Sequence, residues 1–95
     1  MKKRPNKLEQ FHLQRIKEIG CLACGQVAVI HHLLRAPKRR SWRWTAPLCA
    51  RHHNMSNDSV HLSGVGEVEW FASKDYPDIV KWAEEQWEIS KGKFV

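Results

Sequence analysis

The chain has 95 residues, with 16 Lys and Arg against 10 Asp and Glu, a formal net charge of +6. That length makes one small domain with a thin core, of the kind that leans on a metal or on disulfides for stability. With no apolar run long enough to cross a bilayer, no signal-peptide pattern and an odd set of three cysteines, a reduced cytoplasmic protein is expected, with no membrane partner.

The charge is divided along the chain. Residues 1–57 hold twelve Lys and Arg against Glu9 and Glu18, whereas residues 58–95 hold four against eight acids. A basic N-terminal half suits contact with a polyanion, and the acidic half then serves as scaffold.

In chain order, Met1 to Pro5 is a basic arm expected to be flexible. Asn6 is a fitting N-cap for a helix over Lys7–Ile19, which Gly20 stops. Leu8, Phe11, Ile16 and Ile19 fall near one face, and His12 reads as a surface histidine. Cys21 to Gly25 forms a tight turn. Residues 27–32 are β-branched and read as a strand running into His31-His32. Residues 35–41 are loop chemistry around Pro37, and residues 42–47 are the return strand, ended by Pro47. A short helix begins near Leu48 or Cys49 and carries His52 and His53. Gly64 opens another helical piece reaching Ser73, and Pro77 fits the first turn of a last helix over residues 78–90. Trp44, Trp70, Trp82 and Trp87 are expected in the core.

Two constellations carry chemistry. Cys21 and Cys24 are followed, after 24 intervening residues, by Cys49 and His52. Thiolate and imidazole are the ligands zinc prefers, and four of them make a closed structural Zn2+ site. A redox CxxC would want a βαβ setting, which the chain lacks. The quartet leaves His31, His32, His53 and His61 unused. One such histidine alone would read as a hydrogen-bonded structural residue, but two doublets framing a strand–loop–strand–helix unit point to a second, reactive metal. His31 and His32 adjoin on a strand, so their side chains leave on opposite faces and cannot share one role. An all-imidazole site favours Zn2+, Ni2+ or Mn2+ over Mg2+. Arg35, Lys38, Arg39, Arg40, Trp42 and Arg43 cluster in the loop between the strands. Guanidinium groups suit phosphates, with an aromatic among them to stack, so this loop is the candidate DNA contact. Phosphate contacts carry no sequence information, so little sequence preference is expected.

The pieces Cys24-Gly25, His31-His32, Pro47-Leu-Cys-Ala-Arg-His-His53 and Val60-His-Leu-Ser-Gly64 resemble the HNH (ββα-metal, His-Me finger) endonucleases. The resemblance runs from about Cys21 to Phe71 and is closest to the zinc-stabilised phage branch that includes the RecA-dependent recombination-enhancement nuclease. It implies an α+β fold in which a ββα-metal core with a structural zinc is flanked by an N-terminal helix and one or two C-terminal helices. Residues 1–95 then form a single nuclease domain: arm 1–5, helix 6–20, zinc-stabilised ββα core 21–62 and helical part 63–95. His32 matches the general base. His31, His53 and His61 match ligands of one divalent catalytic ion (Mg2+, Mn2+, Ni2+ or Zn2+), with Asn57 the alternative to His61. The implied activity is metal-dependent hydrolysis of DNA phosphodiester bonds by a phage or prophage protein in a bacterial cytoplasm, with room for a recombination or phage protein as partner. The chain departs from the family where an Asn orients the base: that position falls near Trp44 or Thr45. The rival readings are a non-catalytic zinc-binding DNA-binding module and a degenerate HNH domain acting within a recombination complex.

Overall fold

Helix α1 spans Lys7–Ile19, and its start is fixed by a reciprocal pair of hydrogen bonds. The Asn6 side chain accepts the Glu9 N–H at 2.8 Å, and the Glu9 carboxylate accepts the Asn6 N–H at 2.9 Å. Two N–H groups that the helix itself leaves unbonded are thereby satisfied. At the other end Gly20 has φ of +85°, and its N–H bonds back to the Lys17 carbonyl at 3.1 Å. A Cβ there would meet the Gly25 carbonyl oxygen at 3.0 Å, so backbone conformation and space both call for glycine. The computed structural model of the protein describes residues 4–34 and 41–94.

After the turn at residues 22–24, β1 (Val29–His32) pairs antiparallel with β2 (Thr45–Leu48). The register sets Val29 opposite Leu48, Ile30 opposite Pro47, His31 opposite Ala46 and His32 opposite Thr45. Pro47 lies inside β2 and does not end the strand as expected. The Leu33 N–H donates to the Trp44 carbonyl at 3.0 Å. The alternation of an antiparallel ladder then makes 31/46 and 29/48 the bonded pairs, so Pro47 falls at a position that owes β1 no N–H. Among the described residues the sheet has two strands, so no third neighbour asks for one either. The Pro47 carbonyl is used elsewhere, accepting the Leu22 N–H at 3.1 Å and tying the cysteine turn to the sheet.

β2 is followed by a single π-helical turn, Arg51–Met55. Helix α2 (Glu67–Ser73) starts three residues later than the expected Gly64, with Gly66 as its N-cap. Helix α3 (Ile79–Lys93) is capped by Asp78, whose side chain accepts the Lys81 N–H at 3.1 Å. Pro77 therefore precedes the cap, and the helix outlasts the expected end at Ser90 by three residues.

Every residue of β2 is buried, because α1 and α3 pack on it while it pairs with β1. The core gathers Cys21, Leu33, Trp44, Ala46, Leu48, Cys49, Val60, Trp70, Phe71, Ile79 and Ala83. Trp44 and Trp70 are inside as expected, and Trp82 and Trp87 are half-buried. His12 overturns its expectation: it is fully buried. It stands four residues from both Leu8 and Ile16, on the α1 face that packs against α3, where Ser90 meets its Nδ1 at 2.6 Å. Among the described residues no helix is long and apolar enough to cross a membrane.

Candidate metal centres

The thiolate site is assembled from three places in the chain. The turn after α1 supplies Cys21 and Cys24, the residue just after β2 is Cys49, and the π-helical turn supplies His52. Within the cysteine turn the Gly25 N–H donates to the Cys21 carbonyl at 2.7 Å, and the Cys21 N–H donates to the Gln26 carbonyl at 2.9 Å. The four ligand atoms lie within 4.8 Å of one another. Cys24 Sγ and Cys49 Sγ are 3.7 Å apart, and His52 Nδ1 is 3.2 Å from Cys49 Sγ and 3.7 Å from Cys21 Sγ. Bonds of about 2.3 Å to sulfur and about 2.0 Å to nitrogen give a tetrahedron with edges of about 3.5–3.8 Å. The residues fit a tetrahedral ion such as zinc.

The electrostatics agree with that fit. Burial pushes the Cys21 thiol up, but hydrogen bonds from the backbone at Cys49, Ala23 and Cys24 outweigh it, and the thiol ends below its ordinary range. At Cys24 the Gln26 backbone lowers the thiol, yet burial and the neighbouring sulfurs of Cys49 and Cys21 carry it above its ordinary range. One thiol is poised to ionise and its neighbour resists, as expected of crowded sulfurs that need a cation before all can be thiolates. On the far side of His52, Nε2 lies 3.9 Å from Asp58, which Lys74 grips with bonds of 3.0 and 2.8 Å. Those hydrogen bonds from Lys74 hold the Asp58 carboxyl below its usual range. A metal-binding imidazole whose other nitrogen faces a carboxylate is a recurrent arrangement.

A second cluster unites His31, His53 and His61, again with ligand atoms within 4.8 Å of one another. The ring of His31 is 5.2 Å from each of the other two, which are 4.7 Å apart. His53 and His61 face each other through Nε2 at 3.2 Å. That spacing fits one ring donating to the other, and it also fits two lone pairs turned toward a shared ion. His53 follows His52 directly, and the helical turn swings the two side chains apart so that one serves each cluster. The chain between His53 and His61 folds back on the turn: the Val60 N–H donates to the His52 carbonyl at 2.8 Å, and the His61 N–H to the His53 carbonyl at 3.3 Å. The fully buried Ser59 anchors this return, its hydroxyl oxygen accepting the Leu62 N–H at 3.1 Å. Burial, then the proximity of His31 and His61, pushes His53 down to about 4, and burial and His31 lower His61. Neutral imidazoles with free lone pairs are what a metal requires. His31 is buried, His53 half-buried and His61 exposed, so the cluster opens to solvent on one side.

Glu67, the first residue of α2, completes the setting and was not foreseen from the sequence. Its carboxylate lies 2.8 Å from His31 Nε2 and accepts the Leu34 N–H at 2.9 and 3.0 Å. An acid in the first turn of a helix reads as a partner for the helix dipole, and nothing in the spacing links it to a histidine 36 positions earlier.

The remaining candidates fall outside both clusters. His32 leaves β1 on the face opposite His31, and its ring lies 5.0 Å from that of Trp42. Thr45, opposite His32, donates its hydroxyl to the Trp42 carbonyl at 3.1 Å. Asn57 sits exposed in the returning turn, and it is His61 that joins His31 and His53. The guanidinium of Arg43 lies 4.8 Å from the centre of the Trp44 ring and 3.8 Å from Glu84. Arg35, Lys38, Arg39 and Arg40 lie outside the described residues. No family model, curated protein or solved structure matches the chain.

Proposed function

We propose that the protein is a small zinc-stabilised endonuclease of the HNH (ββα-metal) type, hydrolysing DNA phosphodiester bonds with little sequence preference. The observation that carries this reading is the pairing of two unlike ligand sets in one small unit. One is a Cys3His quartet with the donor chemistry of a structural zinc; the other is an open, all-imidazole trio. A protein that only needs a metal to fold has no use for the second. Two antiparallel strands leading into a helical turn that carries ligands for both sets also fit a ββα-metal core.

In this reading Cys21, Cys24, Cys49 and His52 hold the structural zinc, and His31, His53 and His61 would hold one divalent ion. Such an ion would supply Lewis acidity for the negative charge that develops at the phosphate. His32 takes the proton of the attacking water, as a neutral imidazole can near neutral pH. Its separation from the trio is compatible with that role. In-line displacement puts the attacking and leaving oxygens on opposite sides of phosphorus, so the base and the group that steadies the leaving oxygen stand apart. Trp42 packs against the His32 ring and limits its rotation. Thr45 stands across the ladder from His32, where the family would carry an orienting Asn nearby.

Plasmid DNA offered to the purified protein in chelator, Mg2+, Mn2+, Ni2+ and Zn2+ tests this directly. Cleavage that requires added metal and falls about 10²- to 10⁴-fold in His32→Ala is the expected result. DNA that is bound but uncut in every metal would replace the enzyme by a zinc-organised DNA-binding module, and undiminished cutting by His32→Ala would remove His32 as the base.

A further inference from the structure

Glu67 places a carboxylate where one is costly. It is 6% exposed, and a buried charge persists only where its oxygens are bonded. The Leu34 N–H reaches both of its oxygens, which pins the carboxylate to the chain just beyond β1. One of those oxygens lies 2.8 Å from His31 Nε2. An imidazole that donates from Nε2 keeps its lone pair on Nδ1, and the centres of the His53 and His61 rings each lie 5.2 Å from the centre of the His31 ring. We infer that Glu67 is a positioning residue for the second metal centre: it holds His31 as the Nε2–H tautomer, turns Nδ1 toward the ion that His53 and His61 share, and tightens its binding.

The inference rests on the reading that the trio holds a divalent ion. It differs from a plain buried ion pair in one respect that can be measured. An ion pair wants His31 doubly protonated, which leaves the ring no lone pair for a metal, so the two roles exclude each other. Glu67→Gln is close to isosteric and can still accept the Leu34 N–H through its amide oxygen. It then offers His31 an N–H in place of an oxygen, which favours the wrong tautomer.

The experiment is a Co2+ titration of protein already carrying its one thiolate-bound zinc, followed by the visible absorption of the added ion. Wild type is expected to bind one Co2+ through imidazole nitrogen. Glu67→Gln is expected to keep its zinc and its circular dichroism spectrum while binding Co2+ about 10- to 100-fold more weakly. Glu67→Asp should recover part of the loss. Equal Co2+ affinity in Glu67→Gln and wild type overturns the role of Glu67 and leaves the metal reading standing. A wild type that takes up no Co2+ overturns both. Should Glu67→Gln not fold, long-range proton–nitrogen spectra of the wild type decide. His31 protonated at Nε2, with Nδ1 shifting when Zn2+ is added, supports the inference; a ring protonated at Nδ1, or a metal on Nε2, overturns it.

Discussion

At the scale of single residues, His12 is the buried histidine that neither metal cluster uses. Arg15 Nη1 donates to Ser90 Oγ at 2.6 Å and to the Gln86 carbonyl at 3.1 Å, and Nη2 donates to the Gln86 side chain at 2.8 Å. Ser90 accepts from Arg15 and so has its own proton to offer His12 Nδ1, 2.6 Å away. Burial, reinforced by the Arg15 charge, pushes His12 down to about 4 from an ordinary value of 6.5. The unfolded chain therefore binds the proton first as pH falls. The stabilisation from neutral His12 is complete above pH 6.5 and is lost as pH falls through 4. Thermal unfolding of wild type and His12→Asn, both carrying equal zinc, checks this: the stability gap should be widest at pH 7 and shrink toward pH 4. A gap that stays constant would mean that His12 acts by shape alone. His12 and Glu67 mark the limit of what single residues reveal in the sequence. Each derives its role from a partner far along the chain, Ser90 for one and His31 for the other, and local spacing holds no trace of either. The clustering of Cys21, Cys24, Cys49 and His52 was legible because they come in short CxxC and CxxH pairs whose chemistry is the same wherever they sit.

At the scale of elements, legibility followed the caps. The ends of α1 were readable because Asn6 and Gly20 act within a few residues of where they stand. Asn6→Ala removes the side-chain half of the capping box and should cost about 1 kcal/mol. For a domain of this size that is a fall of about 4–8 °C in Tm, which calorimetry at neutral pH would register. An unchanged Tm would mean that packing on α3 alone sets the start of α1. The return strand was harder to place, because Pro47 is a breaker by local rule and is tolerated here by its position in the ladder. The fold-back that carries His61 to His53 was not readable either. It depends on the His52 and His53 carbonyls taking N–H groups from Val60 and His61, an arrangement with no signature in spacing.

For the whole molecule, the two ligand sets stand in different relations to the fold. Cys21 and Cys49 belong to the hydrophobic core itself, and the turn that carries Cys21 is hydrogen-bonded to the sheet through Leu22 and Pro47. An ion such as zinc bound among sulfurs at this spacing would contribute its binding energy to folding. The imidazole trio lies at the edge: His61 is exposed, and its side chain can be removed without opening the core. Native mass spectrometry in Zn2+ should therefore find two ions per wild-type chain, with the looser one lost first to a weak chelator. His61→Ala should keep one ion and its circular dichroism spectrum, and its Tm should stay close to that of wild type in its one-ion form. Cys49→Ser should lose the tighter ion together with cooperative unfolding, because it leaves a buried polar group and too few thiolates to close the tetrahedron. Two ions retained by His61→Ala would break the trio as a site. A Cys49→Ser chain that melted as sharply as wild type would show that the core holds without its metal, and the quartet would then need a purpose other than folding.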